Sequence, residues 1–209
     1  MSNYKICEYC GKQLETQNIE ALGHKFTHTV ECECYIARRE AETQENIKCG
    51  CEIIRAKMRE LSGIPNRYIK PELCYFRPKP GQENALSAAQ KFIEAWREVH
   101  GNNQTGLIFA GSVGCGKTML ASAIANDVIQ YANISVSEAE HSGQFGCPQS
   151  YVSPPVLFVS TVELMERIRA TYNPVQGSER PQTAQDILSK YKRVPVLVLD
   201  DLGAEKSTE

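Results

Sequence analysis

The chain has 209 residues, 42% of them hydrophobic and 23% charged, with 23 Lys and Arg against 25 Asp and Glu. These proportions suit a globular protein and exclude a disordered or fibrous one, and a net charge of −2 excludes a strongly basic nucleic-acid coat. No apolar run approaches the roughly 20 residues that span a bilayer, and the first residues form neither a signal core nor a lipidation motif. The expectation is a cytoplasmic chain without a membrane partner, made of one full domain plus a small module, or part of a longer protein.

Cysteine divides the chain. Of nine Cys, six lie in the first 51 residues: Cys7, Cys10, Cys32, Cys34, Cys49 and Cys51. An odd count without a secretion signal argues against a disulfide framework, and close pairs read as metal ligands. Two donor sets compete for Zn²⁺. Cys7 and Cys10 with His24 and His28 meet finger spacing, whereas Cys7, Cys10, Cys32 and Cys34 give a four-thiolate site. A finger needs both His on one helix, but Gly23 precedes the first and Thr27, Thr29 and Val30 favour extended backbone. The four-Cys set is preferred, His24 and His28 are read as ordinary residues of a hairpin, and Cys49 and Cys51, whose spacing could supply alternative ligands, as thiols at a helix start. A module this short buries little core, so an ion would stabilise it outright. The division expected is a zinc-binding module with helical linker over 1–62 and a nucleotide-type domain over 63–209.

Residues 35–48 are charged helix formers and read as a solvated helix. Over 52–61, Ile54, Met58 and Leu61 recur at helical spacing, and Ser62-Gly63 with Pro65 marks the stop. After the break at 78–81, Ala85, Ala88, Ala89, Phe92, Trp96 and Val99 form the stripe of an amphipathic helix ended by Gly101 to Asn103. Residues 107–110 read as a parallel strand buried on both faces. A helix follows over 119–131, with Leu120, Ile124, Val128 and Tyr131 on one side. Residues 132–155, rich in Ser, Gly and Pro, read as a loop insertion. A second buried strand, 156–159, leads into a helix opened by a Ser160–Glu163 capping box and running through Tyr172. A loop (173–182), a short helix (183–192) and a strand (196–199) complete an α/β pattern with a parallel sheet.

Gly111, Ser112, Val113, Gly114, Cys115, Gly116, Lys117 and Thr118 fit G-x-x-x-x-G-K-[ST] between a strand and a helix. Such a loop wraps backbone N–H groups around a phosphate chain at a helix N-terminus. Lys117 would reach the β- and γ-phosphates, and the Thr118 hydroxyl would bind Mg²⁺. Cys115 supplies backbone only, its competing reading being a redox-sensing thiol. The strand at 196–199 runs into Asp200-Asp201, at the tip that faces the ligand crevice of a doubly wound fold. Asp200 would hold Mg²⁺ and Asp201 would orient the attacking water. The bland alternative is an Asp-Asp-Leu-Gly turn.

These residues resemble bacterial and phage DnaC/DnaI-type helicase loaders, AAA+ ATPases grouped with the IstB-like transposition ATPases. The matching pieces are the Cys-x-x-Cys and Cys-x-Cys knuckles, Ser62-Gly63-Ile64-Pro65-Asn66-Arg67-Tyr68, the phosphate loop, Leu157-Phe158-Val159-Ser160, and the run from Val196 to Glu205. The resemblance implies a three-layer P-loop NTPase of the AAA+ class that uses ATP to place a hexameric DnaB-type helicase on single-stranded DNA. It further implies that the zinc module contacts the helicase and that the ATPase domain self-associates. Many AAA+ proteins carry Asp-Glu where this chain has Asp200-Asp201, so slow hydrolysis is expected, with Glu205 a candidate substitute. Arg167, Arg169, Arg180, Lys190, Lys192 and Arg193 are candidate DNA contacts, their bland reading being a solvated helix face. The competing functions are an IstB-like ATPase assisting a transposase, and a zinc-dependent interaction module with a degenerate ATPase.

In the strand order 5-1-4-3-2 implied by the resemblance, 107–110, 156–159 and 196–199 are strands 1, 2 and 3. The chain is then expected to be incomplete at its C-terminus, stopping before strand 4, the sensor strand, the arginine finger and any lid. Alone it is expected to hydrolyse ATP negligibly.

Overall fold

The computed structural model describes residues 5–21, 24–69, 72–99, 106–146, 152–172 and 183–203. The N-terminal module starts with two short antiparallel strands, β1 (Lys5–Ile6) and β2 (Gln13–Leu14). A hairpin follows, β3 (Thr16–Ala21) paired with β4 (His24–Thr29). His24 and His28 therefore lie on extended backbone, as the threonine-rich sequence around them predicts.

A single helix, α1 (Glu33–Ser62), then runs for 30 residues, merging the two helical stretches read from the sequence. At about 1.5 Å per residue it spans about 45 Å. Its first half is largely exposed, while Gly50, Ile54, Met58 and Ser62 are buried. Leu61 points outward at 36% exposure, so the buried stripe ends on Ser62 instead. Gly63 ends the helix in a left-handed cap (φ 78°). Cys49 and Cys51 sit in the middle of α1 and not at a helix start.

The largest departure lies within 132–155, read as a loop. Residues 136–145 form a helix, α4 (Val136–Phe145), opened by a capping box between Ser135 and Glu138. This helix packs on α1 in the most extensive helix–helix contact among the described residues. Two glycines allow the approach: a Cβ on Gly50 would lie 1.6 Å from the Ala139 carbonyl oxygen, and one on Gly143 would lie 2.1 Å from that of Asn46. An alanine at either position would separate the helices, because backbone atoms cannot move aside as a flexible side chain can.

The second half is built around α3 (Lys117–Gln130). The expected apolar side is present, but the burial does not stop there: every residue from Ser122 to Ile129 is buried. An apolar helix enclosed all round is a core element and has no solvent face. It touches α1, α2 (Glu83–Val99), β5 (Val156–Ser160) and β6 (Val196–Asp200). On α2, Ala89 and Trp96 are buried as the stripe predicts, joined by Ile93. The expected end of α2 at 101–103 lies outside the described residues, as does the loop 173–182. Two further helices are α5 (Thr161–Ala170) and α6 (Ala184–Arg193). Ser160 caps α5 by position but makes no side-chain cap hydrogen bond, so the expected box with Glu163 does not form. The reciprocal box occurs at α6, between Thr183 and Asp186.

β5 and β6 pair in parallel, Val156 opposite Val196 and Ser160 opposite Asp200. Adjacent parallel strands joined by helices are the pattern expected of a P-loop α/β sheet. Residues 107–110 differ from expectation: among the described residues they form no ladder, and Ile108 is 89% exposed. They and β6 line one cavity, and in the order 5-1-4-3-2 the two are not neighbours. On β6, Leu197 and Leu199 are each 39% exposed, while Val196 and Val198 on the other face are half-buried against the core.

Two polar side chains of α3 hold the segment before α2. The Asn126 amide donates to the Tyr68 carbonyl at 2.8 Å, and the Asp127 carboxylate accepts from the Leu73 N–H at 3.4 Å. Burial pushes Asp127 up to about 6, against the Leu73 hydrogen bond, with Glu72 adding repulsion. A carboxyl raised above its unfolded value of about 3.9 contributes stability in acid that is lost as pH rises through about 6. Asp127→Asn keeps an acceptor for Leu73 and removes the charge. Thermal melts should show the variant gaining on the parent between pH 5 and pH 8, by about 2–4 °C for a screened effect of about 1 kcal/mol. An identical variant-minus-parent difference at both pH values would contradict this.

Candidate functional site

Residues 111–118 form a loop that opens directly into α3. Gly114 (φ 79°) and Gly116 (φ 89°) take left-handed backbone that other residues adopt at a cost, which lets the loop curl over the helix N-terminus. Val113, at its crest, is wholly exposed. The Lys117 ammonium folds back across the loop and donates to the carbonyl oxygens of Gly111 and Ser112, each at 2.9 Å. The Cys115 Sγ lies 3.9 Å from the same ammonium. A cation held over a curled glycine loop, with a helix dipole behind it, is an arrangement that attracts phosphate.

The two carboxylates come from the end of β6. Asp200 ends β6 opposite Ser160, and Asp201 follows with φ 54°, the one positive φ outside glycine among the described residues. The Thr161 hydroxyl, at the start of α5, donates to the Asp201 carbonyl at 2.8 Å and ties this turn to the neighbouring strand's end. Lys117, Gly111, Asp200 and Asp201 line one cavity of about 630 Å³. Its apolar wall includes Phe92 and Trp96 of α2 and Ile124 of α3. Segments about 80 residues apart in sequence thus face one space, as the motif reading requires.

Two residues near this cavity carry no sequence signal. Thr161 reads only as a helix residue, and Gln82 falls between the break at 78–81 and the apolar stripe that starts at Ala85. Yet the Gln82 side-chain amide donates to the Cys115 carbonyl in the phosphate loop. Nothing in a lone Gln after a Pro-Gly turn announces a contact 33 positions away.

The thiols of Cys7, Cys10, Cys32 and Cys34 all lie within 4.8 Å of one another. The Cys7–Cys34, Cys10–Cys32 and Cys32–Cys34 sulfurs are 3.3, 3.4 and 3.3 Å apart. Zn–S bonds of about 2.3 Å in a tetrahedron place sulfurs about 3.8 Å apart, so the donor set fits the ion. Two thiols come from the turn between β1 and β2, where Gly11 N–H donates to the Cys7 carbonyl at 2.9 Å. The other two sit at the start of α1, with Cys32 as its N-cap. The backbone N–H groups of Cys10 and Tyr9, with the Cys34 thiol, lower Cys7 to about 6, and sharing with Cys7 and Cys32 raises Cys34 to about 12. Cys49 and Cys51 are not in the cluster.

Among the candidate DNA contacts, Arg167 is engaged with Glu163 at 2.6 Å and with the Tyr191 hydroxyl at 3.2 Å. Lys190, Lys192 and Arg193 occupy the last turn of α6, and Arg180 lies outside the described residues. Glu205, the candidate substitute for the missing Glu, also lies outside them. Among the described residues no helix is long and apolar enough to cross a membrane.

The family model of the ATPase family associated with various cellular activities (AAA) matches residues 107–209. The chain is 26% identical over 145 residues to the replicative helicase loader DnaC of Buchnera aphidicola (subsp. Schizaphis graminum), covering 69% of this chain and 47% of that protein. It is 26% identical over 129 residues to DnaC of Escherichia coli K12 (62% and 40% covered) and 30% identical over 117 residues to the replicative helicase loader DnaI of Bacillus subtilis (56% and 28% covered). The alignments thus span less than half the length of these relatives. No solved structure gives a significant match. Residues 107–209 thus match the AAA ATPase family model, in a chain similar to the DnaC and DnaI helicase loaders.

Proposed function

We propose that this chain is an ATP-binding and ATP-hydrolysing DNA replication protein that loads a hexameric DnaB-type helicase onto single-stranded DNA. The observation that supports this most is the convergence of Lys117, Asp200 and Asp201 on one cavity, in a chain whose relatives are named helicase loaders.

In this reading Gly111 to Thr118 hold the triphosphate. Lys117 gives up two neutral carbonyl acceptors, Gly111 and Ser112, for charged phosphate oxygens, a stronger partner for an ammonium. Thr118 and Asp200 hold Mg²⁺, which neutralises phosphate charge when bound. Asp201 orients the attacking water, its backbone pinned by Thr161. With Asp in place of a longer acid, turnover is slow. The four Cys hold Zn²⁺, which cross-links the β1–β2 turn to the start of α1. The zinc module meets the helicase, the basic ends of α5 and α6 meet DNA, and the ATPase domain contacts further copies of itself.

Fluorescent ATP titrated into the chain with Mg²⁺ should saturate, and Lys117→Ala should weaken binding at least about 10-fold by removing a charge-assisted bond. Equal binding by both would refute the assignment of the phosphate site. Elemental analysis of the purified chain should find one zinc per chain in the parent and in Cys49→Ser. Cys10→Ser and Cys34→Ser should lose it, with a lower melting temperature. Full zinc retention in both of those variants would contradict the four-thiolate site.

A further inference from the structure

Gln82 stands just before α2 and outside every motif in the sequence. Its backbone and side chain are both committed. The Gln82 N–H donates to the Lys79 carbonyl at 2.9 Å, and its own carbonyl accepts from Leu86 at 3.0 Å. The side-chain oxygen accepts from the Lys79 N–H at 2.8 Å. That bond leaves the NH₂ as the free end of the amide, and the NH₂ donates to the Cys115 carbonyl. A Cβ built on Gly116 would lie 3.9 Å from the same nitrogen, so the amide rests against the phosphate loop itself.

The consequence follows from peptide geometry. In a trans peptide the C=O and the next N–H point in opposite directions within one plane. Holding the Cys115 carbonyl outward therefore turns the Gly116 N–H the other way. Gly116 sits with φ 89°, and glycine-flanked peptides in such loops rotate easily unless something holds them. Prior orientation of backbone donors matters for an anion site, because a donor that must reorient on binding loses affinity.

We propose that Gln82 is a positioning residue for the phosphate loop, fixing the Cys115–Gly116 peptide so that the Gly116 N–H faces the diphosphate of a bound nucleotide. The inference rests on the nucleotide reading of this loop. Gln82 does not touch the nucleotide; it acts through the Cys115 carbonyl, and it ties the turn at 79–82 to the state of the loop.

Gln82→Glu keeps the acceptor for Lys79 and loses the donor to Cys115, and Gln82→Met loses both. Fluorescent ADP is titrated into the full chain and each variant, with melting temperatures and the Gly116 amide resonance recorded without nucleotide. The dissociation constant should rise about 5- to 20-fold in both variants, the worth of a hydrogen bond beside a charged ligand. The melting temperatures should stay within about 2 °C of the parent, as for substitutions outside a core. The Gly116 amide resonance should move in both variants. The Gln82→Glu defect should also shrink towards pH 5, as the introduced carboxyl regains a proton to donate. Dissociation constants within twofold of the parent, or weaker binding with an unmoved Gly116 resonance, would overturn the role of Gln82 alone. Failure of the parent itself to bind ADP would overturn the phosphate-site reading and this inference with it.

Discussion

The enclosure of α3 is the constraint on which the rest of the second half depends. A helix with buried residues on every side must be covered by several elements at once, and α1, α2, β5 and β6 supply that cover. Its N-terminus cannot drift, because the body of the helix has no freedom to shift. The phosphate loop is therefore anchored at one end by the core of the molecule. Asn126 and Asp127 extend the same hold to the chain before α2, bonding Tyr68 and Leu73. That chain returns to the loop through Gln82. Leu73, held by α3, and Gln82, bonded to the Cys115 carbonyl, thus link this chain to the helix at one point and to the phosphate loop at another.

The long helix α1 joins two differently stabilised parts. At its start, Cys32 and Cys34 belong to a thiol cluster in a module with little apolar core. At its end, Ile54, Met58 and Ser62 belong to the core around α3. Along its middle it is clamped to α4 through Gly50 and Gly143. One continuous helix bearing both the donor set and core residues transmits orientation between them far better than a flexible linker would.

The site was legible where chemistry dictates residue type. A phosphate loop needs glycines, a lysine and a hydroxyl in fixed order, and four thiols at knuckle spacing need little else. The strands β5 and β6 followed from apolar runs, their pairing from the strand order the resemblance implies, and a hairpin carrying His24 and His28 from threonine-rich extended sequence. What escaped notice depends on tertiary contact. Helix α4 hides in a Ser- and Gly-rich stretch because its burial comes from glycine-mediated contact with α1 and not from an apolar stripe. Residues 107–110 look like a strand by composition, yet a strand needs a neighbour at ladder distance, and in the order 5-1-4-3-2 β6 is not that neighbour. The Ser160–Glu163 pattern predicted a capping box that does not form, whereas among the described residues Ser135–Glu138 and Thr183–Asp186 each close one. Gln82 and Thr161 act on backbone carbonyls distant in sequence, for which no local pattern exists.

The central claim is that the phosphate loop and the strand-tip carboxylates serve one metal–nucleotide site. The most direct measurement places Mn²⁺ with ADP on the isotope-labelled chain and maps the paramagnetic broadening of backbone amides. The account predicts strong broadening of residues 111–118 together with Asp200 and Asp201, lost from both segments in Asp200→Asn. Broadening confined to one segment, or unchanged in Asp200→Asn, would contradict it.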